Sequence, residues 1–480
     1  ASDVYKRQVF AMMISTVAFA QTFSDVKPED NYYEAIETLN KLGILTGDDN
    51  DGDGVYDFRP NDTITRAEVA VIVARIQGNT GSVAQTATVF NDVPSSNWAS
   101  GYIAMASNQG IVNGYGDGNF GPEDPVKYEE VIKMLMETLG YKPFADANGG
   151  YPTGYLAAAQ RADLLSGVNG GSVGQAAPRG LVAQLTYNAI DTPLMDRAVF
   201  GPNAEYIIYD GTNGYDRRTL MSQYLKVSKL NGIVTENILS SLTGANAIDT
   251  SAEETVTVEI LDNYDDEQYY EIGEARTFKV GQTDARNYLG YNVVFYVQQD
   301  RTVDDATILS MTYTSGKNQS TSFTLDQYEG FEYAANSNNA SYLKYLKNSS
   351  DRTASKLTIE ENATVIYNNV AYTEGLEDMF GNGANDKALI YPDGAMSGKV
   401  TVVDTDNVSG YDVVFVEIAT SGVVEEVSER GELTFKNEVG STSYYNSVKK
   451  VIFDDDTDDT IVNITKDGVA YDYNKLAAWD

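Results

Sequence analysis

Gly110-Ile111-Val112-Asn113-Gly114-Tyr115-Gly116-Asp117-Gly118-Asn119-Phe120-Gly121-Pro122 joins a helix stop to a hairpin. Before it, Tyr102-Ile103-Ala104-Met105-Ala106 has the pattern of an apolar helix. A glycine at 110 can end that helix in the left-handed conformation and let the chain reverse. Asp117 to Pro122 then reads as a tight turn that tucks Phe120 back under the helices. Further out, Phe90-Asn91-Asp92-Val93 opens the unit, and Lys127-Tyr128-Glu129-Glu130 begins a second helix. The result is helix, turn, helix, with a core too small to stand alone.

The same order occurs at lower numbers. Phe23-Ser24-Asp25-Val26 is followed by Tyr33-Glu34-Ala35-Ile36-Glu37-Thr38-Leu39, the stop Gly43-Ile44-Leu45-Thr46-Gly47, and Phe58-Arg59-Pro60 after a longer acidic turn. Its second helix starts at Thr65-Arg66-Ala67-Glu68, where Thr65 and Glu68 form a capping box for otherwise orphaned backbone donors. Val69, Ile72, Val73 and Ile76 follow on one helical face. A weaker copy runs from Phe144-Ala145-Asp146-Ala147 through Tyr155-Leu156 and Leu164-Leu165-Ser166-Gly167 to Pro178-Arg179-Gly180-Leu181, with Asp163 in the place of the stop glycine. The boundaries are 21–80, 87–142 and 143–198, and three such units are expected to pack together.

The F-x-D-V start, the G-I-x-x-G centre with its D-G-x-F-x-P turn, and the T-R-A-E helix start together resemble the S-layer homology domain over residues 21 to about 196. The resemblance implies an all-α, three-repeat spindle around a helix bundle. Its grooves would bind secondary cell-wall polysaccharide, often pyruvylated, on Gram-positive peptidoglycan. It also implies that Arg66 is a principal polymer-binding residue. The third copy keeps the arginine as Arg179 and loses the glutamate, whereas the second has Tyr128 in the arginine's place. Two competent grooves are therefore expected, and the groove of Tyr128 is in doubt.

A fixed guanidinium suits a pyruvate carboxylate, and Trp98 suits a sugar face. Trp98 also reads as a core or staple residue, and Arg66 without the resemblance reads as a solvated first-turn charge. Asp25 and Asp92 are caps or groove acceptors. Thr65, Glu68 and Glu130 are structural caps.

Seventy acidic residues stand against 34 basic ones, for a formal charge of −36. That balance argues against nucleic-acid binding, which needs a basic footprint. It fits a chain that stays soluble outside the cell and meets divalent cations there. With no Cys and no His, disulfides, the usual zinc sites, Cys nucleophiles and His triads are excluded. Val9 to Ala20 is an apolar run ending in Ala18-Phe19-Ala20, the form of a signal-peptide core with its cleavage site and too short to span a bilayer. Residues 1–20 are accordingly expected to be a leader and signal-peptide remnant. Ala1 to Gln8 reads as a leader fused to a truncated gene, and the abrupt end at Lys475 to Asp480 suggests a fragment.

From about Val199 the pattern changes from helical to alternating. Thr255-Val256-Thr257-Val258-Glu259-Ile260 predicts a strand with its aliphatic residues on one face. Gly290 to Val297 and Gly410 to Val416 resemble each other and suggest related β modules. The expected boundaries are 199–318 and 319–420, with a partial module at 421–480. Fold class is therefore multidomain α + β, a helix bundle followed by all-β, sandwich or barrel-like modules.

Asp49, Asp51, Asp53 and Asp57 have the opening spacing of a calcium loop, but Pro60 stands where an EF-hand has its bidentate Glu. An acidic hairpin tip is the competing reading. The acidic run from Asp454 to Asp459 is a poorer candidate, because adjacent acids on a strand face opposite ways.

Carboxylate chemistry of the glycosidase kind is the main catalytic option left, and no phosphate loop, nucleophile elbow or dinucleotide fingerprint is present. The chain is expected not to be an enzyme. It reads as a wall-anchored S-layer or S-layer-like component able to self-associate. The alternatives are a wall-anchored adhesin or carbohydrate-binding protein, and an anchored hydrolase lacking its catalytic part.

Overall fold

The computed structural model describes most of residues 23–418 and, beyond them, strand segments within 424–470. The stretches 49–54, 198–205, 244–253, 265–269, 299–305, 333–340 and 382–397, with a few single positions, lie outside the described residues, as do 1–22. Helices come first and sheets follow, so the chain is mixed α + β with a β-rich C-terminal part. No described helix is long and apolar enough to cross a membrane.

The N-terminal helices are α1 (Tyr33–Lys41), α2 (Arg66–Ile76), α3 (Ser100–Asn108), α4 (Tyr128–Thr138), α5 (Lys142–Ala147), α6 (Thr153–Arg161) and α7 (Arg179–Asp191). Helices of different repeats pack together, α2 on α3, α4 on α6 and α7 on α1, while α5 and α6 pack on each other within the third repeat, where Phe144 to Ala147 form part of α5 rather than an opening like those of Phe23 and Phe90. One apolar cluster runs through all these helices, from Phe23 through Val131 to Ile190.

The three chain segments entering α2, α4 and α7 meet in a closed triangle of backbone hydrogen bonds. Ile64 N–H donates to Ala177 C=O at 3.3 Å, Ala177 N–H to Val126 C=O at 2.9 Å, and Val126 N–H to Ile64 C=O at 3.0 Å. All three residues are buried, so each satisfies a donor and an acceptor that water cannot reach.

The helix stops have one form in all three repeats. Gly43 (φ 71°), Gly110 (φ 76°) and Asp163 (φ 56°) are left-handed, and the next residue, Ile44, Ile111 or Leu164, donates its N–H back across the last turn. Asp163 does this with a Cβ that disfavours the conformation. Asp163→Gly is expected to stabilise the chain by about 0.5–1 kcal/mol. A urea midpoint that falls in this variant would contradict that account.

The first large sheet has the order β5-β4-β3-β6-β7, with β3 (Val227–Glu236), β4 (Thr255–Asn263), β5 (Ala275–Lys279), β6 (Asn292–Gln298) and β7 (Ile308–Tyr313). A small pair, β1 (Met195–Arg197) with β2 (Tyr206–Ile208), precedes it. Val256, Val258 and Ile260 on β4 are buried, as their alternation with polar residues requires. The edges of this sheet meet at a bridge between Lys279 and Thr307, which curls it toward a barrel.

The second sheet has the order β8-β13-β14-β11-β10-β9: β8 (Gln319–Thr324), β9 (Tyr328–Glu332), β10 (Ser341–Tyr345), β11 (Ser355–Tyr367), β13 (Gly398–Asp404) and β14 (Tyr411–Ile418). A short strand, β12 (Val370–Tyr372), pairs with β11. The two similar segments supply β6 and β14, interior strands in both sheets, but β14 lies parallel to β11 whereas β6 is antiparallel to both β3 and β7.

The helical part and the first sheet share a core. Leu220, Met221, Val227 and Tyr296 are buried in the same cluster as the helices. The Tyr187 and Tyr296 hydroxyls are 3.0 Å apart, and Tyr187 donates to Glu34. Asp191, at the end of α7, pairs with Arg217 at 2.9 Å and Lys229 at 2.6 Å.

Candidate functional site

Arg66 and Arg179 are the first residues of α2 and α7, yet they are only 4% and 7% exposed. A charge at that position is usually solvated, so something must cover it. The cover is a neighbouring repeat's turn. Arg66 Nε donates to Phe120 C=O at 2.9 Å and Nη2 to Asn113 C=O at 2.9 Å, and its guanidinium lies over the Tyr115 and Phe120 rings at 4.8 Å. Arg179 Nε donates to Phe58 C=O at 2.8 Å, and its guanidinium lies 5.0 Å over that ring.

Asp25 and Asp92 hold the same turns from the other side. Asp25 accepts from the N–H groups of Phe58 and Arg59 at 2.8 and 2.7 Å, and Asp92 from Phe120 and Gly121 at 2.8 and 2.7 Å. Each turn phenylalanine is thus clamped by an aspartate of its own repeat and an arginine of another. Each also packs on its repeat's opening phenylalanine, Phe23 on Phe58 and Phe90 on Phe120.

The glutamates complete the frame. Glu68 accepts from Thr65 N–H at 2.8 Å while Thr65 Oγ1 accepts from Glu68 N–H, which closes the capping box. Glu68 also pairs with Arg179 at 2.6 Å. Glu130 accepts from Lys127 N–H at 3.0 Å and faces Arg66 at 3.4 Å.

Each arginine floors a pocket. Around Arg66 it measures about 310 Å³ and is walled by Asn113, Tyr115, Glu130, Lys133 and Tyr151. Around Arg179 it measures about 530 Å³ and is walled by Thr46, Arg59, Glu68, Arg75 and Trp98. All three repeats contribute to both. Trp98 is 51% exposed and Tyr151 49%, so each offers a ring face at the rim. Burial, and then Glu129 and Glu130, push the Tyr151 hydroxyl up to about 12, which keeps it a hydrogen-bond donor at neutral pH.

The third position is filled from within. The Tyr128 ring lies against Gly171, where a Cβ would come within 2.3 Å of it. Glu129 accepts from Gly174 N–H at 2.8 Å, and Tyr32 donates to Asn169 C=O at 2.6 Å.

Tyr151, Tyr115, Lys133 and Arg75 also wall these pockets, although no motif marks them. Tyr151 had a legible signal, because it precedes α6 as Trp98 precedes α3. Tyr115 gains its place from Arg66 of another repeat, whereas Lys133 meets Glu137 and Arg75 meets Ile44 within their own. Asp49, Asp51 and Asp53 lie outside the described residues, and Asp57 accepts from Ser24 Oγ. The run from Asp454 to Asp459 also lies outside them.

Residues 22–70 and 89–132 match the S-layer homology domain family. The middle cell wall protein of Brevibacillus brevis is 30% identical over 224 residues, 45% of this chain and 20% of that protein. The surface layer protein of Brevibacillus choshinensis is 29% identical over 222 residues, 45% of this chain and 18% of that protein. A cell surface protein of Thermoanaerobacter kivui is 28% identical over 485 residues, covering 91% of this chain and 56% of that protein. The chain therefore spans about a fifth of the first two relatives and little more than half of the third.

Proposed function

We propose that this chain, an S-layer homology protein of the cell surface, holds itself to the wall by gripping secondary cell-wall polysaccharide between its repeats. One observation carries the reading: Arg66 and Arg179, both buried, floor two pockets that three repeats wall together, each with a half-exposed aromatic ring at its rim. A guanidinium fixed by its own carbonyl partners is pre-organised for an anionic or hydroxyl-rich ligand, and an aromatic rim suits a sugar ring. The interlocked helices support a three-repeat spindle.

In this reading Asp25 and Asp92 shape the groove walls without touching the polymer, because backbone amides already occupy their carboxylates. Tyr128 fills the third groove, which leaves two for ligand. The β modules then face outward as part of an S-layer or S-layer-like coat.

The test is sedimentation of the chain with Gram-positive walls before and after extraction of their secondary polymer. Binding is expected to vanish on extraction. An Arg66→Gln, Arg179→Gln double variant, checked for folding by circular dichroism, is expected to bind intact walls at least about tenfold more weakly, the loss of one or two charge-assisted hydrogen bonds. Retention on extracted walls would assign the contact to peptidoglycan itself. Undiminished binding by the folded variant would refute the grooves.

A further inference from the structure

Six Asn-Gly pairs stand in the sequence, beginning at Asn113, Asn148, Asn169, Asn213, Asn231 and Asn382. In such a pair the glycine nitrogen can attack the asparagine side-chain amide, because no Cβ hinders the approach. Asn213 and Asn382 lie outside the described residues, and the fold treats the other four unequally.

Asn231 is buried on β3, and its Nδ2 donates to Asn292 Oδ1, Val293 C=O and Thr314 Oγ1 at 2.7, 2.9 and 2.8 Å. Asn113 is exposed, but Gly114 is wedged, since a Cβ there would lie 2.4 Å from Asn119 C=O and 2.8 Å from Phe90. Asn148 caps the end of α5; its Nδ2 donates to Phe144 C=O at 2.7 Å, and its N–H is held by the same turn. Asn169 is the loosest. It and Gly170 are exposed, and Gly170 (φ 87°) has open space where a Cβ would stand. Asn169 Nδ2 reaches Gly167 C=O only at 3.3 Å, past the usual range for such a bond.

The Tyr32 hydroxyl, from the first repeat, donates to Asn169 C=O at 2.6 Å. That carbonyl belongs to the peptide bond whose nitrogen must lose its proton before it attacks. The charge of the deprotonated peptide rests largely on that oxygen, and a donor aimed at it stabilises the charge.

We infer that Asn169-Gly170 is a self-modification site, at which Tyr32 promotes conversion of Asn169 to aspartate and to β-linked aspartate. Gly170 N gives its proton to solvent hydroxide and bonds to Asn169 Cγ, and Nδ2 leaves as ammonia with a proton taken from water. A second water opens the cyclic imide at either carbonyl, giving aspartate or a backbone rerouted through the side chain. Nothing is oxidised or reduced. The new carboxylate stands on the loop whose Gly171 packs against Tyr128, so a chain that ages at the cell surface carries a mark of its age there.

The experiment keeps the full chain in mildly alkaline buffer at physiological temperature and follows each pair by mass-spectrometric peptide mapping. Asn169 is expected to convert first, to both aspartate isomers, while Asn113 and Asn231 persist. Tyr32→Phe is expected to slow Asn169 about tenfold, the loss of one hydrogen bond to a charged group, and to leave the rate at Asn148 unchanged. A hydroxyl that merely tethered the loop would act in the opposite sense, and its removal would speed conversion.

An unchanged or faster Asn169 in Tyr32→Phe overturns the inference, as does conversion of Asn113 or Asn231 at the rate of Asn169. Unfolding the unmutated chain in urea is a check that needs no variant. The rates at all four pairs are expected to converge there, and a ranking that survived unfolding would assign it to neighbouring sequence rather than to the fold, which also overturns the inference.

Discussion

Arg179→Ala is expected to destabilise the chain by about 3 kcal/mol, the lower end for breaking a buried ion pair. The variant loses the hydrogen bond to Phe58 C=O, the pair with Glu68 and the stacking on the Phe58 ring at once. Glu68 is left without its cation, but its side chain is 30% exposed and keeps its capping contacts, which limits the penalty. Arg66→Ala should act similarly through Phe120 and Asn113.

Urea unfolding of the single variants is the measurement. A loss below about 1 kcal/mol would mean that the guanidinium is not clamped as described. The same reasoning explains why glutamine is the better substitution for binding tests, since it can still donate to the turn carbonyl while removing the charge. An alanine variant that fails to bind walls would leave affinity and stability confounded.

Cutting the chain after residue 198 is expected to cost the helical part on the order of 3 kcal/mol relative to a piece ending at 318. Leu220, Met221, Val227 and Tyr296 are each at most 2% exposed and complete the core of the helices. Removing them uncovers apolar surface worth roughly 1.5 kcal/mol or more per side chain, reduced by relaxation and by compactness of the unfolded chain. Asp191 loses both Arg217 and Lys229, and Tyr187 loses the Tyr296 hydroxyl. Comparing the urea midpoints and slopes of the two pieces decides the matter. Equal stability would show that the helical unit ends with α7 and that the first sheet merely leans on it.

The legible features of this protein are the local ones. The stop glycines, the Thr65–Glu68 box and the alternation of Val256, Val258 and Ile260 each depend on residues close in sequence, and the structure has each of them. Even Asp163, recognised only as a misfit in the glycine's place, takes up the left-handed conformation that its position demands. The long-range features were not legible. Nothing near residue 359 announces that β11 will run parallel to a strand beginning at Tyr411. The first-turn position of Arg66 suggested solvent, because the turn that buries it comes from another repeat.

The sequence alone determined that helices precede strands and where several helix stops and caps fall, but not that Phe144 to Ala147, read as a repeat opening, lies in α5. Periodicity, capping and left-handed stops are short-range physics, which a few neighbouring residues suffice to set. Only the tertiary structure decided which charges are buried, that the Tyr128 ring lies against Gly171, and how far the core of the helices extends. Those properties belong to pairs of residues distant in the chain, and burial depends on what the rest of the fold places on top.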